Sequence, residues 1–358
     1  MAAIIKSSEP ALASGAHMTK TIPVEQAVGM VLPHDITEIR TEEFKGRAFK
    51  KGHIIKAEDI ERLKRLGKEN IYVLELGADD IHENEAAELM AVALSGPGTS
   101  VSGEPVEGKL SIIAAHDGLL KVDVEALYQF NLLGEVMCAT LHNNTPVKKG
   151  EQLAGTRLIP LVSKREIVDK AVSIAAKAQG VLKVAELKQA RAGLIITGNE
   201  VFHGRIKDAF EPVLRKKLEK LGSEVVAVRF APDNIETIAM EIKACLDAGA
   251  DLIVTSGGMS VDPDDVTRQG IAKAGAQDIV YGTPVLPGAM FLVGYIGEVP
   301  VLGLPACGMF HKITVFDLIL PRVLSGEKIT RQDMAQLGHG GLCRQCKSCA
   351  YPVCGFGK

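Results

Sequence analysis

The chain has no tryptophan, and aromatic residues make up only 4% of it. That scarcity argues against a platform on which nucleic-acid bases stack. There is also no block of lysine and arginine. Forty-one basic residues are set against 44 acidic ones, for a formal net charge of −3, so neither nucleic acid nor an anionic membrane is expected as a partner. No apolar run approaches the roughly 20 residues needed to cross a bilayer. Disulfide-type cysteine spacing is missing too: Cys138, Cys245 and Cys307 are scattered, and the other four of the seven fall in the last sixteen residues. This distribution fits a reducing, cytoplasmic compartment and one metal site.

At 358 residues the chain exceeds one typical domain, so two or three domains plus tails are expected. Residues 1–17, ending SGAHM, do not share the periodicity of the rest of the chain. They read as a leader or disordered extension, with Met18 as the natural start. Residues 18–94 read as an α+β region, in which residues 57–66 place Ile60, Leu63 and Leu66 on one helical face before Gly67. A Gly/Pro/Ser-rich linker over residues 95–107 opens a small β domain, residues 95–165, of barrel or sandwich type. Within it His116-Asp117-Gly118 signals a hairpin. The polar run His142-Asn143-Asn144-Thr145 is either a barrel-mouth loop or a ligand contact, and Arg157 is expected to be a paired surface charge. A connecting helix over residues 166–190 leads to residues 191–330, where strand and helix alternate. That alternation implies a parallel sheet with helices on both faces.

The chemistry concentrates in residues 251–267, DLIVTSGGMSVDPDDVT. An apolar, β-branched run reads as a buried strand and empties into Gly257 and Gly258, with Ser260, Asp262, Asp264 and Asp265 beyond. Amide donors beside carboxylates suit a phosphorylated ligand carried with Mg²⁺. The alternative is a solvated acidic turn. A second apolar strand, GLIIT, ends in Gly198-Asn199-Glu200-Val201. Both turns fall at strand exits, where open α/β sheets bind ligands.

Together these segments resemble the molybdopterin-binding domain of molybdenum-cofactor biosynthesis proteins, over about residues 191–325. The segment 24–76 is similar to the N-terminal region of the molybdenum-insertion enzymes, the molybdopterin molybdenumtransferases. The resemblance implies a three-layer α/β domain, a homo-oligomer, and a pterin phosphate site flanked by TGDE- and SGGxS-type exits. Thr197, Gly198 and Glu200 match the first exit, with Asn199 in place of its aspartate. Ser256, Gly257, Gly258 and Ser260, around Met259, match the second. Glu200 and Asp265 are then expected to act catalytically by holding Mg²⁺, with Asp262 and Asp264 as acidic neighbours and Asp264 a further metal ligand. Pro287-Gly288 matches a pterin-side pair, but Ala289-Met290 replaces the lysine-proline that comes after it in the family. Residues 303–309 read GLPACGM where the family has GLPGNPV. A cation and an asparagine expected near the anion are therefore missing. Cys307 in that loop is either a soft contact or an inert thiol.

The resemblance implies binding of molybdopterin or its adenylylated form, transferase-type insertion of molybdenum or tungsten into the adenylylated form, and a molybdo- or tungstoenzyme as recipient. Two alternatives stay open: a pterin carrier or sensor, and a nucleotide-processing enzyme of the competence-damage type. The tail, residues 331–358, carries Cys343, Cys346, Cys349 and Cys354. Thiolates at these gaps suit Zn²⁺ or a [4Fe–4S] cluster, with His339 as substitute or outer partner. Without metal the tail is expected to lack order, since so short a segment has no core of its own.

Overall fold

The computed structural model describes residues 20–40, 44–74, 76–260 and 262–358. The expected leader, residues 1–17, lies outside them. The chain divides into two compact units. Among the described residues no helix is long and apolar enough to cross a membrane.

The larger unit comprises residues 114–122, 142–151 and 184–358. Its sheet is built from β1 (Arg191–Thr197), β2 (Glu224–Ala231), β3 (Leu252–Ser256), β4 (Gln277–Tyr281), β5 (Leu292–Ile296) and β6 (Val299–Leu304). The order across the sheet is β2-β1-β3-β6-β5-β4. All five residues of β3 and six of seven in β1 are buried, as expected where both faces of a strand are covered. Successive side chains alternate between two cores. Leu194, Ile196, Leu252 and Val254 enter one, with the helices α2 (Phe210–Lys220) and α6 (Val315–Leu324). Ile195 and Ile253 enter the other, with α3 (Ile235–Asp247) and α4 (Thr267–Lys273). This is the period of two that a pleated strand imposes, and it makes three layers. The short helices α1 (Asn199–Phe202) and α5 (Cys307–Phe310) come after β1 and β6, and α7 (Arg331–Gln336) precedes the tail.

Sequence logic accounts for the helix ends. Asp208 accepts from the N–H groups of Phe210 and Glu211 at 2.8 and 2.9 Å, and Phe210, Leu214 and Leu218 form the buried stripe of α2. At the start of α3 either Asp233 or Asn234 could cap. Asn234 does so, accepting from Thr237 N–H at 2.9 Å, which leaves Asp233 for the site.

The sheet is not wholly parallel. β2, β1, β3 and β6 are parallel, but β5 pairs antiparallel with β6 and β4 antiparallel with β5. Only Gly297 and Glu298 separate β5 from β6. Two residues make a hairpin, whereas a parallel return needs a crossover of a dozen or more. Helix α6 contains Pro321 rather than ending there. The missing Pro321 N–H leaves the Asp317 carbonyl without its helical donor, and Tyr351 O–H of the tail donates to it at 3.4 Å. The tail is itself ordered: Phe356 is 5% exposed within the main core, and Cys343 packs against that core. Borrowing a neighbour's core removes the need for one of its own.

In the smaller unit, helix Asp59–Arg65 buries Leu63 as expected. The segment read as a linker contains a strand, Thr99–Val106, at the edge of a four-stranded sheet. An edge strand tolerates Pro105, which has no N–H to donate inward. Helix Val124–Asn131 interrupts the β region, and the connecting helix ends at Lys177, short of the expected 190. Gly180 comes next with φ of +87°, and the chain returns as strand Leu182–Ala185. In the larger unit, His116-Asp117-Gly118 does not close a hairpin. Asp117 accepts from Lys149 N–H at 2.8 Å, and strand Gly118–Val122 pairs with Pro146–Val147. The turn is held by a distant loop instead of by its own strands.

Candidate functional site

The strand order reverses at β1: the chain moves from β1 to β2 on one side, then crosses to β3 on the other. The crevice beyond the carboxyl ends of β1 and β3 is the switch point at which such sheets bind ligands. Both glycine-bearing exits open there.

The exits are locked together. Gly257 and Gly258 have φ of +86° and +57°, in the region that only glycine enters freely. A Cβ on Gly257 would stand 2.6 Å from the Thr197 carbonyl oxygen, and one on Gly258 would collide with Thr267 Oγ1. Thr197 Oγ1 donates to the Ser256 carbonyl at 2.8 Å and lies 2.9 Å from Thr267 Oγ1. Since its single proton goes to Ser256, Thr267 donates to Thr197. Thr197 and Ser256 are buried, so their side chains shape the turn from beneath. Met259 is buried as well, with its side chain under Gly303 and its carbonyl accepting from Tyr281 O–H at 2.6 Å. Among the described residues the N–H groups of Gly258, Met259 and Ser260 meet no acceptor. Successive free N–H groups on a left-handed turn form a concavity suited to an anion.

Carboxylates face this turn. Glu200, Asp262 and Asp264 are exposed and Asp265 is partly buried. Asp265 Oδ2 accepts from Asp262 N–H at 3.3 Å, and Asp265 N–H donates to the Asp262 carbonyl at 3.0 Å. Asp233, which the sequence offered only as a helix cap, stands at the end of β2 and joins them. Its carboxyl is pushed above the usual range by burial. The N–H of Asn199 opposes that shift, and the charges of Glu200, Asp264 and Asp265 add to it. Asp233, Glu200, Asp264 and Asp265 therefore share one field. No three described His, Cys, Asp or Glu side chains converge on a position for a single ion. Mg²⁺ does not need three, because it keeps several waters and binds through one or two carboxylates plus phosphate oxygens. These hard oxygen donors fit it.

Pro287 and Gly288 are buried against the start of α6: Val315 N–H donates to the Pro287 carbonyl at 3.3 Å, and a Cβ on Gly288 would reach Val315 Cγ1 at 2.5 Å. A cation that sequence reading missed is Arg268, in α4 directly after Thr267. Its guanidinium lies 4.2 Å from the centre of the Tyr281 ring, and its Nε is buried without a partner. The signal was present, as an arginine one turn beyond Asp265.

Other flagged groups have structural work. Asn143 accepts from Val122 N–H at 3.1 Å, Asn144 from Lys121 Nζ at 2.6 Å and Thr145 from Lys358 Nζ at 2.7 Å. Arg157 pairs with the buried Glu83 at 3.2 Å. The Cys307 thiol is pushed up by burial, which suits an inert thiol.

Residues 193–325 match the family model of a probable molybdopterin binding domain. The match is confined to this part of the chain. Residues 21–75 match a domain of unknown function (DUF8806). Among curated relatives, a CinA-like protein of Mycobacterium avium (strain 104) is 36% identical over 96 residues, 27% of this chain and 22% of that protein. The match thus spans about a fifth of that relative's length. The molybdopterin biosynthesis enzyme MoaB from Thermus thermophilus is 23% identical, with a TM-score of 0.33 over 38% of this chain and 98% of that one. A molybdopterin biosynthesis MoeA protein from Pyrococcus horikoshii is 17% identical, with a TM-score of 0.33 over 87% and 77% of the two chains. The matched stretch takes in β2 to β6, all but the first two residues of β1, and the residues of both strand exits; the cysteine tail lies beyond it.

Proposed function

We propose that the crevice between β1 and β3 binds molybdopterin, or its adenylylated form, through the terminal phosphate and a Mg²⁺ ion, as a step in molybdenum or tungsten cofactor assembly. The observation that carries this reading is the pair of glycine exits fused through Thr197 and Thr267, with unpaired N–H groups on one side and four carboxylates on the other. The N–H groups of Gly258, Met259 and Ser260 receive the phosphate. Glu200 and Asp265, with Asp233 and Asp264 beside them, hold the cation against it. Bound Mg²⁺ would supply charge neutralisation at a phosphate or metalate oxygen. Arg268 stacks on the Tyr281 ring, whose O–H holds the Met259 carbonyl of the turn, and is the candidate cation where Ala289 replaces the family lysine.

Titration calorimetry with molybdopterin, with Mg²⁺ and then with chelator, tests the reading. Binding is expected to need the metal, and Asp265→Asn is expected to erase the difference. Equal affinity in all four conditions overturns the shared ion. The CinA-like relative favours a second reading, nucleotide processing at the same crevice. Hydrolysis of a nucleotide by protein that shows no affinity for molybdopterin would select it.

A further inference from the structure

The four tail cysteines, Cys343 partly buried and the other three exposed, border one space. Cys343, Cys346, Cys349 and Cys354 all line a cavity of about 390 Å³ in the larger unit, together with Lys312 and Arg344. His339, expected from sequence as a fifth candidate, lines a different cavity. Both ends of the cysteine segment are anchored without any help from a metal. Leu286 N–H donates to the Gly341 carbonyl and Cys343 N–H to the Leu286 carbonyl, each at 2.8 Å. Beyond the last cysteine, Phe356 enters the main core and Gly357 N–H donates to the Gly340 carbonyl at 3.0 Å. In the stretch between, Cys346, Cys349 and Cys354 are exposed, and Tyr351 packs against the main core.

The width of the space bears on which guest. Tetrahedral zinc with bonds of about 2.3 Å brings its four sulfurs within about 3.8 Å of one another. No three described ligand-type side chains approach a common ion position in that way, although all four cysteines border the same cavity. A cubane cluster takes one thiolate on each of four separated irons and needs no such convergence. Its four thiolates give a net negative assembly, and Lys312 and Arg344 supply opposite charge at the cavity wall.

We propose that Cys343, Cys346, Cys349 and Cys354 ligate a [4Fe–4S] cluster. Loading is a ligand exchange. Four Fe–S bonds to small thiolates of a preformed cluster break and four to cysteine form. Each cysteine proton passes to a departing thiolate, and no electron changes hands. The cluster would lie beside the backbone leading into Pro287-Gly288, because Leu286 pairs with the tail on both sides of Leu342. The inference does not depend on pterin binding.

The test is anaerobic incubation of the full chain with a synthetic thiolate-ligated [4Fe–4S] cluster, then gel filtration. About four irons and four sulfides per chain should be retained, with visible absorption that bleaches on reduction and a paramagnetic reduced state. Cys346→Ser together with Cys349→Ser should lower retained iron at least tenfold, and Cys307→Ser should leave it unchanged. Circular dichroism and melting of the double variant should match the parent, since Phe356 still anchors the tail. The proposal is overturned if the parent retains no iron, or if the double variant retains as much. Binding of one zinc per chain that shields all four thiols from alkylation, with the cluster refused, also overturns it.

Discussion

Asn199 and Asp233 hold each other across the ends of β1 and β2. Asn199 N–H donates to Asp233 Oδ2 at 2.9 Å, and Asp233 N–H donates to Asn199 Oδ1 at 3.2 Å. The exchange turns a carboxylate toward Glu200, Asp264 and Asp265 although Asn199 stands where the family has an aspartate. A negative group missing from one strand exit is thus present at the next.

This arrangement sets a pH dependence. Burial, then the neighbouring carboxylates, raise the folded pKa of Asp233 above its unfolded value. The folded state therefore binds the proton more tightly, and Asp233 weakens folding once the pH has risen through that folded value. Asp233→Asn keeps an acceptor for Asn199 N–H and removes the charge. Its melting temperature should exceed the parent's at neutral pH and converge with it in acid, measured by calorimetry. Added Mg²⁺ should narrow the neutral-pH gap by stabilising the parent.

Gly258→Ala should cost about 1–3 kcal/mol from the left-handed backbone it would have to keep, with a further contribution from contact with Thr267 Oγ1. In a Thr267→Ala background the same change should cost less, because the colliding oxygen is gone. Chemical denaturation of the four proteins in this cycle would show the coupling, and strict additivity would rule the contact out.

Arg322, 8% exposed, reaches Glu327 at 2.6 Å and Asp333 at 2.5 Å. Burial pushes the Asp333 carboxyl up, but hydrogen bonds from Thr330 and Arg322 outweigh it and hold the pKa below the usual value. Stability from Asp333 is then complete above its unfolded pKa and is lost as pH falls through the lower folded one. Arg322→Met should destabilise by about 2 kcal/mol, less than a fully buried pair because both carboxylates are a quarter exposed. Its stability should also fall less steeply in acid, read from denaturation midpoints between neutral pH and pH ~3.

Phe356→Ala should release the tail. Trypsin cleavage after Arg344 and Lys347 should rise severalfold while β1 to β6 keep their protection from hydrogen exchange. Removing a buried phenylalanine costs about 3–5 kcal/mol where its contacts cannot relax, but undocking of a terminal segment limits the loss here. Unchanged cleavage would mean that the backbone bonds at Leu286 alone secure the tail.

Local signals carried much of the fold. Unbroken apolar runs specified β1 and β3, a stripe at helical spacing specified α2, and the glycine pairs marked the strand exits. Each of these is set by neighbours a few residues apart, so period and composition reveal it. Misreadings arose where a distant partner decides. Thr99–Val106 became an edge strand because a sheet lay alongside it, and Gly118–Val122 chose Pro146–Val147 over its sequence neighbour. The tail found order in a core made by other segments. The candidate site divides in the same way. Glycines 257 and 258 and the run of aspartates were legible, since turn chemistry and charge are local. That Thr197 and Ser256 are buried supports and that Asp233 brings its carboxylate beside Glu200 were settled by the order β2-β1-β3. Which strand ends meet depends on long-range pairing, and pairing is decided by the burial of two whole faces at once.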